Sequence, residues 1–186
     1  MILAIDYDGT IADSNAEKVR WIKRKLDREI PIWLCNMTEC VPRIGEPAYK
    51  EMGNYVYERE STLLAPEVPG AIAALRALAG ANELHVVTAR PLRRIAFAEE
   101  WLTERDILHL FKGVHSAHET AKSDICHRIG AHVLVDDDAR HLVQVNLPGL
   151  SRMLLQCGRD DTPELPDGVL FFNSWPNVVT CVEGMG

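Results

Sequence analysis

Short apolar runs alternate along the chain with stretches of helical spacing. The runs Ile2 to Asp6, Glu83 to Thr88, Phe111 to His115, His132 to Asp136, Arg152 to Gln156 and Val169 to Phe172 each read as a buried strand. Val19, Ile22 and Leu26 place a helix within Ile11 to Ile30. Tyr49, Met52, Tyr55 and Val56 place a second within Pro47 to Glu60. Ala71 to Ala79, Pro91 to Glu104, Thr120 to Ile129 and Ala139 to Val145 read as further helices. Pro91 stands near a helix start, where its missing N–H is harmless, and Gly130 ends a helix. Pro31, Pro42, Gly45 and Pro47 break the chain repeatedly, and Pro66 and Pro69-Gly70 punctuate it again.

From Pro69 onward strands and helices alternate, which implies α/β architecture: a Rossmann-like parallel sheet with helices on both faces. The first strand must join that sheet, because alone it cannot bury its edges. Residues 1–10 and 66–186 are therefore expected to form the α/β core, with residues 11–65 inserted after strand one as a small helical cap.

Length and charge narrow the class. At 186 residues the chain is sized for one domain with a modest insertion. Apolar residues make up 47% and charged residues 25%, an ordinary globular balance. Twenty basic against 27 acidic residues leave a net charge of −7, which disfavours a nucleic-acid polymer or a membrane surface as partner. No run approaches the ~18 apolar residues of a membrane helix. The start, Met1-Ile2-Leu3-Ala4-Ile5-Asp6, lacks the pattern of a signal peptide. The five cysteines match no common zinc signature and read as reduced thiols, so a cytoplasmic location is expected. The oligomeric state is not written in the sequence.

Chemistry concentrates at strand ends. Asp6-Tyr7-Asp8-Gly9-Thr10 follows the first apolar run and Asp136-Asp137-Asp138 follows another. Ligands of open α/β sheets bind beyond the carboxyl ends of the strands, at the topological switch point. If the two strands are neighbours, with Thr88 on the other side of the first, five carboxylates converge on one crevice. Such a cluster calls for a hard divalent cation, and Mg²⁺ completed by substrate phosphate oxygens suits it. Thr88, with the backbone N–H of Ala89, can hold a phosphate oxygen or simply cap the next helix. Lys122, at a helix start, can neutralise aspartates and phosphate together or stand as a surface lysine.

These pieces, in this order, resemble the haloacid dehalogenase-like superfamily of phosphotransferases. The first motif matches Asp-x-Asp-Gly-Thr; Thr88, Lys122 and Asp136-Asp137 look like the second, third and fourth motifs. Within it the chain is most similar to the 5′(3′)-deoxyribonucleotidase group, through Val87-Thr88-Ala89-Arg90, Val135-Asp136-Asp137 and a helical stretch after the first motif. The resemblance implies Asp6 as nucleophile forming an aspartyl-phosphate, and Asp8 as general acid and base. It implies Thr88, Ala89 and Lys122 on the phosphate, and Asp6, Asp8 (through its carbonyl), Asp136 and Asp137 on Mg²⁺. The third aspartate, Asp138, departs from the pattern, so which of Asp136 and Asp137 touches the metal stays open.

The expected substrate is a small phosphorylated molecule, first of all a nucleotide, because Trp21, Trp33, Tyr49, Tyr55 and Tyr57 offer faces that can stack on a base, although most of these rings can equally form the cap's core. A sugar phosphate or other metabolite is the alternative, and a non-catalytic phospho-aspartate regulator the third reading. His115 and His118 raise a weaker zinc possibility. Arg90, Arg93 and Arg94 read as a solvated basic face rather than a substrate clamp, although Arg90 lies close to the Thr88 phosphate subsite.

Overall fold

In the computed structural model, which describes residues 1–185, six strands form one sheet. They are β1 (Ile2–Ile5), β2 (Glu83–Thr88), β3 (Phe111–Ser116), β4 (Val133–Asp136), β5 (Ser151–Leu155) and β6 (Val169–Phe172). The order is β3-β2-β1-β4-β5-β6 and every pair is parallel. The chain runs outward from β1 through β2 to β3, then crosses to β4 on the other side of β1. That reversal is the topological switch point, and it falls beside Asp6.

Strand alternation assigns side chains to two cores. Leu3 and Ile5 point to one face with Val86, Val133, Val135, Met153 and Leu155. There they meet α5 (Ala71–Ala79), α6 (Leu92–Glu104) and α9 (Trp175–Glu183) through Leu75, Trp101, Leu102, Trp175 and Val178. Ala4, Val87, Leu134 and Leu154 point the other way, onto Ile125 and Cys126 of α7 (Lys122–Ile129) and Leu142 of α8 (Ala139–Gln144). The expected α/β sandwich is thus present, with six strands and both faces covered.

Between β1 and α5 lie four helices: α1 (Ser14–Leu26), α2 (Met37–Ile44), α3 (Glu46–Val56) and α4 (Arg59–Leu64). They differ from the two helices expected. Pro42 lies inside α2 rather than ending it, and Pro47 opens α3 at a position that tolerates it. The pattern expected to run to Glu60 breaks at Tyr57, so α4 is a separate turn. The expected helix over Ile11 to Ile30 is shorter: Asp13 caps its start by accepting from Ala16 N (2.9 Å), and Asp27 ends it in the left-handed region, φ 50°. These helices enclose a third cluster, Trp21, Ile22, Cys35, Cys40, Met52 and Val56.

The two ends of this helical segment pair with each other. Asp13 N donates to Pro66 O (2.8 Å) and Val68 N to Ile11 O (2.8 Å). Two buried indoles hold the same ends: Trp175 Nε1 donates to Thr10 O (2.9 Å) and Trp101 Nε1 to Ala65 O (2.8 Å). Among the described residues no helix is long and apolar enough to cross a membrane.

Candidate active site

The turn after β1 fixes the first two carboxylates. Asp6 continues the ladder, its N–H on Val135 O (2.9 Å), so its side chain emerges beside β4. Ile11 N and Ala12 N both return to Tyr7 O (3.0 Å each), closing the turn around Gly9. Gly9 has φ +83°, and a Cβ there would collide with Asp137 Oδ2 and Asn15 Nδ2, so glycine is required. Tyr7 anchors the turn in the main core, edge-on to Trp101 at 5.7 Å.

Lys122 stands at the centre. Its buried ammonium donates to Asp6 Oδ1 (2.6 Å) and Asp136 Oδ2 (2.5 Å). Burial would favour the neutral amine, but Asp136 and Asp6 override it and raise its pKa. Both oxygens of Asp136 are engaged: Oδ1 accepts from Asp138 N (3.0 Å), and His141 Nδ1 lies 3.3 Å from both. Burial opposes ionisation of Asp136, yet Lys122 and His141 hold it well below the usual carboxylate range. Asp138 accepts from Arg140 N (2.9 Å) as the N-cap of α8, which accounts for the third aspartate.

Asp6, Asp136 and Asp137 offer oxygens that all lie within 4.8 Å of one another. Asp6 is pushed up to about 7, by burial first and then by Asp136 and Asp8, against the pull of Lys122. Asp137 is raised well above its ordinary value by burial, then by Asp136 and Asp6. One ammonium does not neutralise three carboxylates, two of them buried and the third, Asp137, half-buried. Oxygen-only donors with surplus negative charge suit a hard divalent cation such as Mg²⁺. Asp6 and Asp137 line the open cavity while Asp136 lies beneath them, so Asp137 has the freer oxygens.

Asp8 faces a different partner. Arg90 Nε donates to its Oδ2 and Nη2 to its Oδ1, both at 2.8 Å, a two-pronged pair with 2% and 13% side-chain exposure. Burial alone would raise the Asp8 pKa; the guanidinium overrides it and lowers it. Arg90 also donates to Thr62 Oγ1 of α4 (2.8 Å) and lies over the rings of Tyr7 and Tyr57 (4.8 and 5.2 Å). The expectation of a solvated basic face is therefore corrected. Arg90 and Arg94 are buried, Arg94 against Glu58 (2.5 Å), and only Arg93 is exposed. Sequence shows an arginine near a strand end but not the carboxylate that draws it inward.

Thr88 is buried at the end of β2, where its Oγ1 accepts from Arg90 N (3.2 Å), and Ala89 follows on the cavity wall. The cavity measures about 860 Å³ and is open to solvent. The sequence reading missed two residues of α1. Asn15 Nδ2 donates to Asp137 Oδ2 (2.7 Å), and its Oδ1 accepts from Lys18 Nζ (2.8 Å). Their i,i+3 spacing was the available signal, hidden within a charged amphipathic stretch.

The aromatic residues separate. Trp21 is buried in the third core cluster, and Trp33 lines a second cavity, of about 100 Å³, behind Gly9. Tyr55 is exposed, with Arg24 at 5.2 Å from its ring. Tyr57 is flanked by Arg90 and by Lys18, 5.7 Å from its centre, leaving Tyr49 as the cavity ring without a cation over it. His115 and His118 do not converge: His115 Nε2 meets His85 Nδ1 (3.0 Å), and His118 lies at the cavity rim.

The fold and the strand-end carboxylates define an open α/β architecture of the haloacid dehalogenase-like type. Similar solved structures agree. A haloacid dehalogenase-like family hydrolase from Streptococcus pneumoniae has TM-score 0.67 and 18% identity, covering 97% of each chain. A predicted phosphoglycolate phosphatase from Haemophilus somnus has TM-score 0.64 and 17% identity, again over 97% of each chain. A magnesium-bound HAD hydrolase from Bacillus subtilis has TM-score 0.62 and 15% identity, with the same coverage. No family model and no curated protein matches the chain. At these identities the likeness establishes the fold.

Proposed function

We propose that the protein is a magnesium-dependent phosphomonoester hydrolase that works through a phospho-aspartate on Asp6. The observation that carries this reading is the cluster of Asp6, Asp136 and Asp137 around the Lys122 ammonium, open to a cavity beside Asp8. Asp6, Asp137 and, beneath them, Asp136 would hold the cation, with the Asp8 carbonyl as a further ligand. When bound, Mg²⁺ screens the negative charge shared by carboxylate and phosphate, which lets the two approach.

The residues divide the reaction into two displacements. A carboxylate oxygen of Asp6 attacks phosphorus as the ester P–O bond breaks. The Asp8 carboxyl protonates the departing alkoxide, then as carboxylate takes a proton from water. That water attacks phosphorus, releases inorganic phosphate and restores Asp6. Lys122, the Thr88 hydroxyl and the Ala89 N–H hold the phosphoryl oxygens, where transition-state charge gathers. Arg90 keeps Asp8 in the base form that the second displacement needs, so the protonated form of the first requires one of its two bonds to loosen. An acid–base group beside the nucleophile favours turnover over a stable phospho-aspartate signal.

Residues 11–65 act as the cap that sets substrate choice, because α1, α3 and the residue after α3 supply Lys18, Tyr49 and Tyr57 to the cavity wall. A small phosphorylated metabolite is the reading favoured by the charged groups Lys18, Asp8 and Asp137 on the cavity wall. A nucleotide, as in the deoxyribonucleotidase group, is the second reading, and Tyr49 is the ring that favours it. The test is a screen of nucleotides, sugar phosphates and phosphorylated acids with Mg²⁺ and after EDTA. Magnesium-dependent phosphate release that Asp6→Asn abolishes is expected. Activity that survives both treatments refutes the reading.

A further inference from the structure

Lys18 is a buried cation without a carboxylate partner. It is 5% exposed and lines the cavity beside Asp8 and Asp137. Its Nζ donates to Asn15 Oδ1 at 2.8 Å, lies 5.7 Å from the centre of the Tyr57 ring and has the Tyr57 hydroxyl as its other near partner. An ammonium carries three donors, so at least one remains without an acceptor. The other buried or half-buried cations of the cavity each have a carboxylate partner, although Arg140 Nε is left without an acceptor. Lys122 bonds Asp6 and Asp136, Arg90 bonds Asp8, Arg94 bonds Glu58 and Arg140 bonds Asp138. Lys50 and Arg93 are exposed, where water screens them. Burying a charge with donors unused is costly unless an acceptor arrives.

Lys18 is also held in place. Asn15 is fixed by its bond to Asp137, and Asn15 and Lys18 share one face of α1. A simple counter-ion for Asp137 would sit against it, as Lys122 sits against Asp136. Instead an amide separates the two and leaves the ammonium facing the cavity. Its neighbours are Tyr49, Tyr57, Asp137 and Asp8. Asp8 is the group that protonates the leaving oxygen in the proposed reaction, so Lys18 lies on the leaving-group side.

We propose that Lys18 binds a second anionic group on the substrate, a carboxylate attached close to the ester oxygen, so that the preferred substrates are phosphomonoesters of small hydroxy acids. This rests on the phosphatase reading above. A singly charged carboxylate is favoured over a second phosphate because Asp8 and Asp137 would repel a dianion more strongly.

The test compares ester pairs that differ only in the carboxylate: phosphoglycolate against ethyl phosphate, and phosphohydroxypropionate against propyl phosphate. In the native protein with Mg²⁺, kcat/KM is expected to be at least tenfold higher for one acid than for its neutral partner. In Lys18→Met that ratio should fall to near one, carried mainly by KM. A native ratio near one, or a ratio that survives Lys18→Met, overturns the proposal. Calorimetric binding of 3-phosphonopropionate and propylphosphonate gives the same comparison without turnover. If no ester is hydrolysed but 3-phosphonopropionate still binds tenfold tighter, and Lys18→Met removes that preference, the phosphatase reading fails and the carboxylate site stands. Equal binding of the two phosphonates to the native protein removes the site whatever the activity.

Discussion

Removing Arg90 should expose how strongly the buried charge of Asp8 depends on it. Arg90→Met keeps a long apolar stem but deletes both 2.8 Å bonds to Asp8 and the bond to Thr62. Each charge-assisted bond contributes roughly 1.5–3 kcal/mol, and breaking a buried pair from one side costs ~3–5 kcal/mol. With exposures of 2% and 13%, solvent screens little of this. For a chain of this size the loss corresponds to about 6–20 °C in Tm, at ~2–4 °C per kcal/mol. Urea unfolding of native protein, Arg90→Met, Asp8→Asn and the double variant completes a double-mutant cycle. The double variant should be more stable than the summed losses imply, by roughly 2–3 kcal/mol, because neither charge is left alone. The deficit of Arg90→Met should also depend on pH. Without the guanidinium, burial raises the folded-state pKa of Asp8 above its unfolded value. The penalty is then full at neutral pH and shrinks as pH falls toward the unfolded pKa of ~3.9. Additivity within ~0.5 kcal/mol would mean that the pair is not coupled, and the argument would fail.

Two further outcomes follow from other contacts. Gly9→Ala should raise the magnesium concentration for half-maximal phosphate release at least tenfold, because the new methyl displaces Asn15 and Asp137; an unchanged magnesium titration refutes that placement. His115 has its pKa lowered from 6.5 by burial, then by His85 and Arg128, so its contribution to stability is complete above that value and declines as pH falls below it. Denaturation series at several pH values should show a shallower decline in His115→Gln than in the native protein, and parallel slopes would contradict the reading.

Much of the core was legible because its signals are local. Apolar runs ending in Asp6, Thr88 and Asp136 carried both the strand and its functional end, and their chain order fixed a switch point beside β1. The helical segment was less legible for physical reasons. Pro42 sits inside α2, where it forfeits a backbone bond to Thr38 that the surrounding packing outweighs. Tyr57 divides what reads as one amphipathic pattern. The last helix, α9, has a proline in its first turn and no charge bias, so only Ser174 and Pro176 mark it. The Arg90–Asp8 pair, the His85–His115 contact and the Asn15–Asp137 bond join residues 30 to 122 positions apart in the chain. Such pairings depend on tertiary placement, which spacing along the chain does not encode.

The pinned ends of the segment between β1 and α5 have a consequence for how this architecture diversifies. Thr10 O and Ala65 O are each gripped by an indole from the core, and the strands beside them bond to one another. The sheet thus presents a socket whose shape does not depend on what is plugged into it. Everything between those two carbonyls can lengthen, shorten or be exchanged while the turn that carries Asp6 and Asp8 keeps its seat. On the proposed function, substrate preference and reaction chemistry would then be separable heritable traits, with Trp101 and Trp175 marking the seam between them.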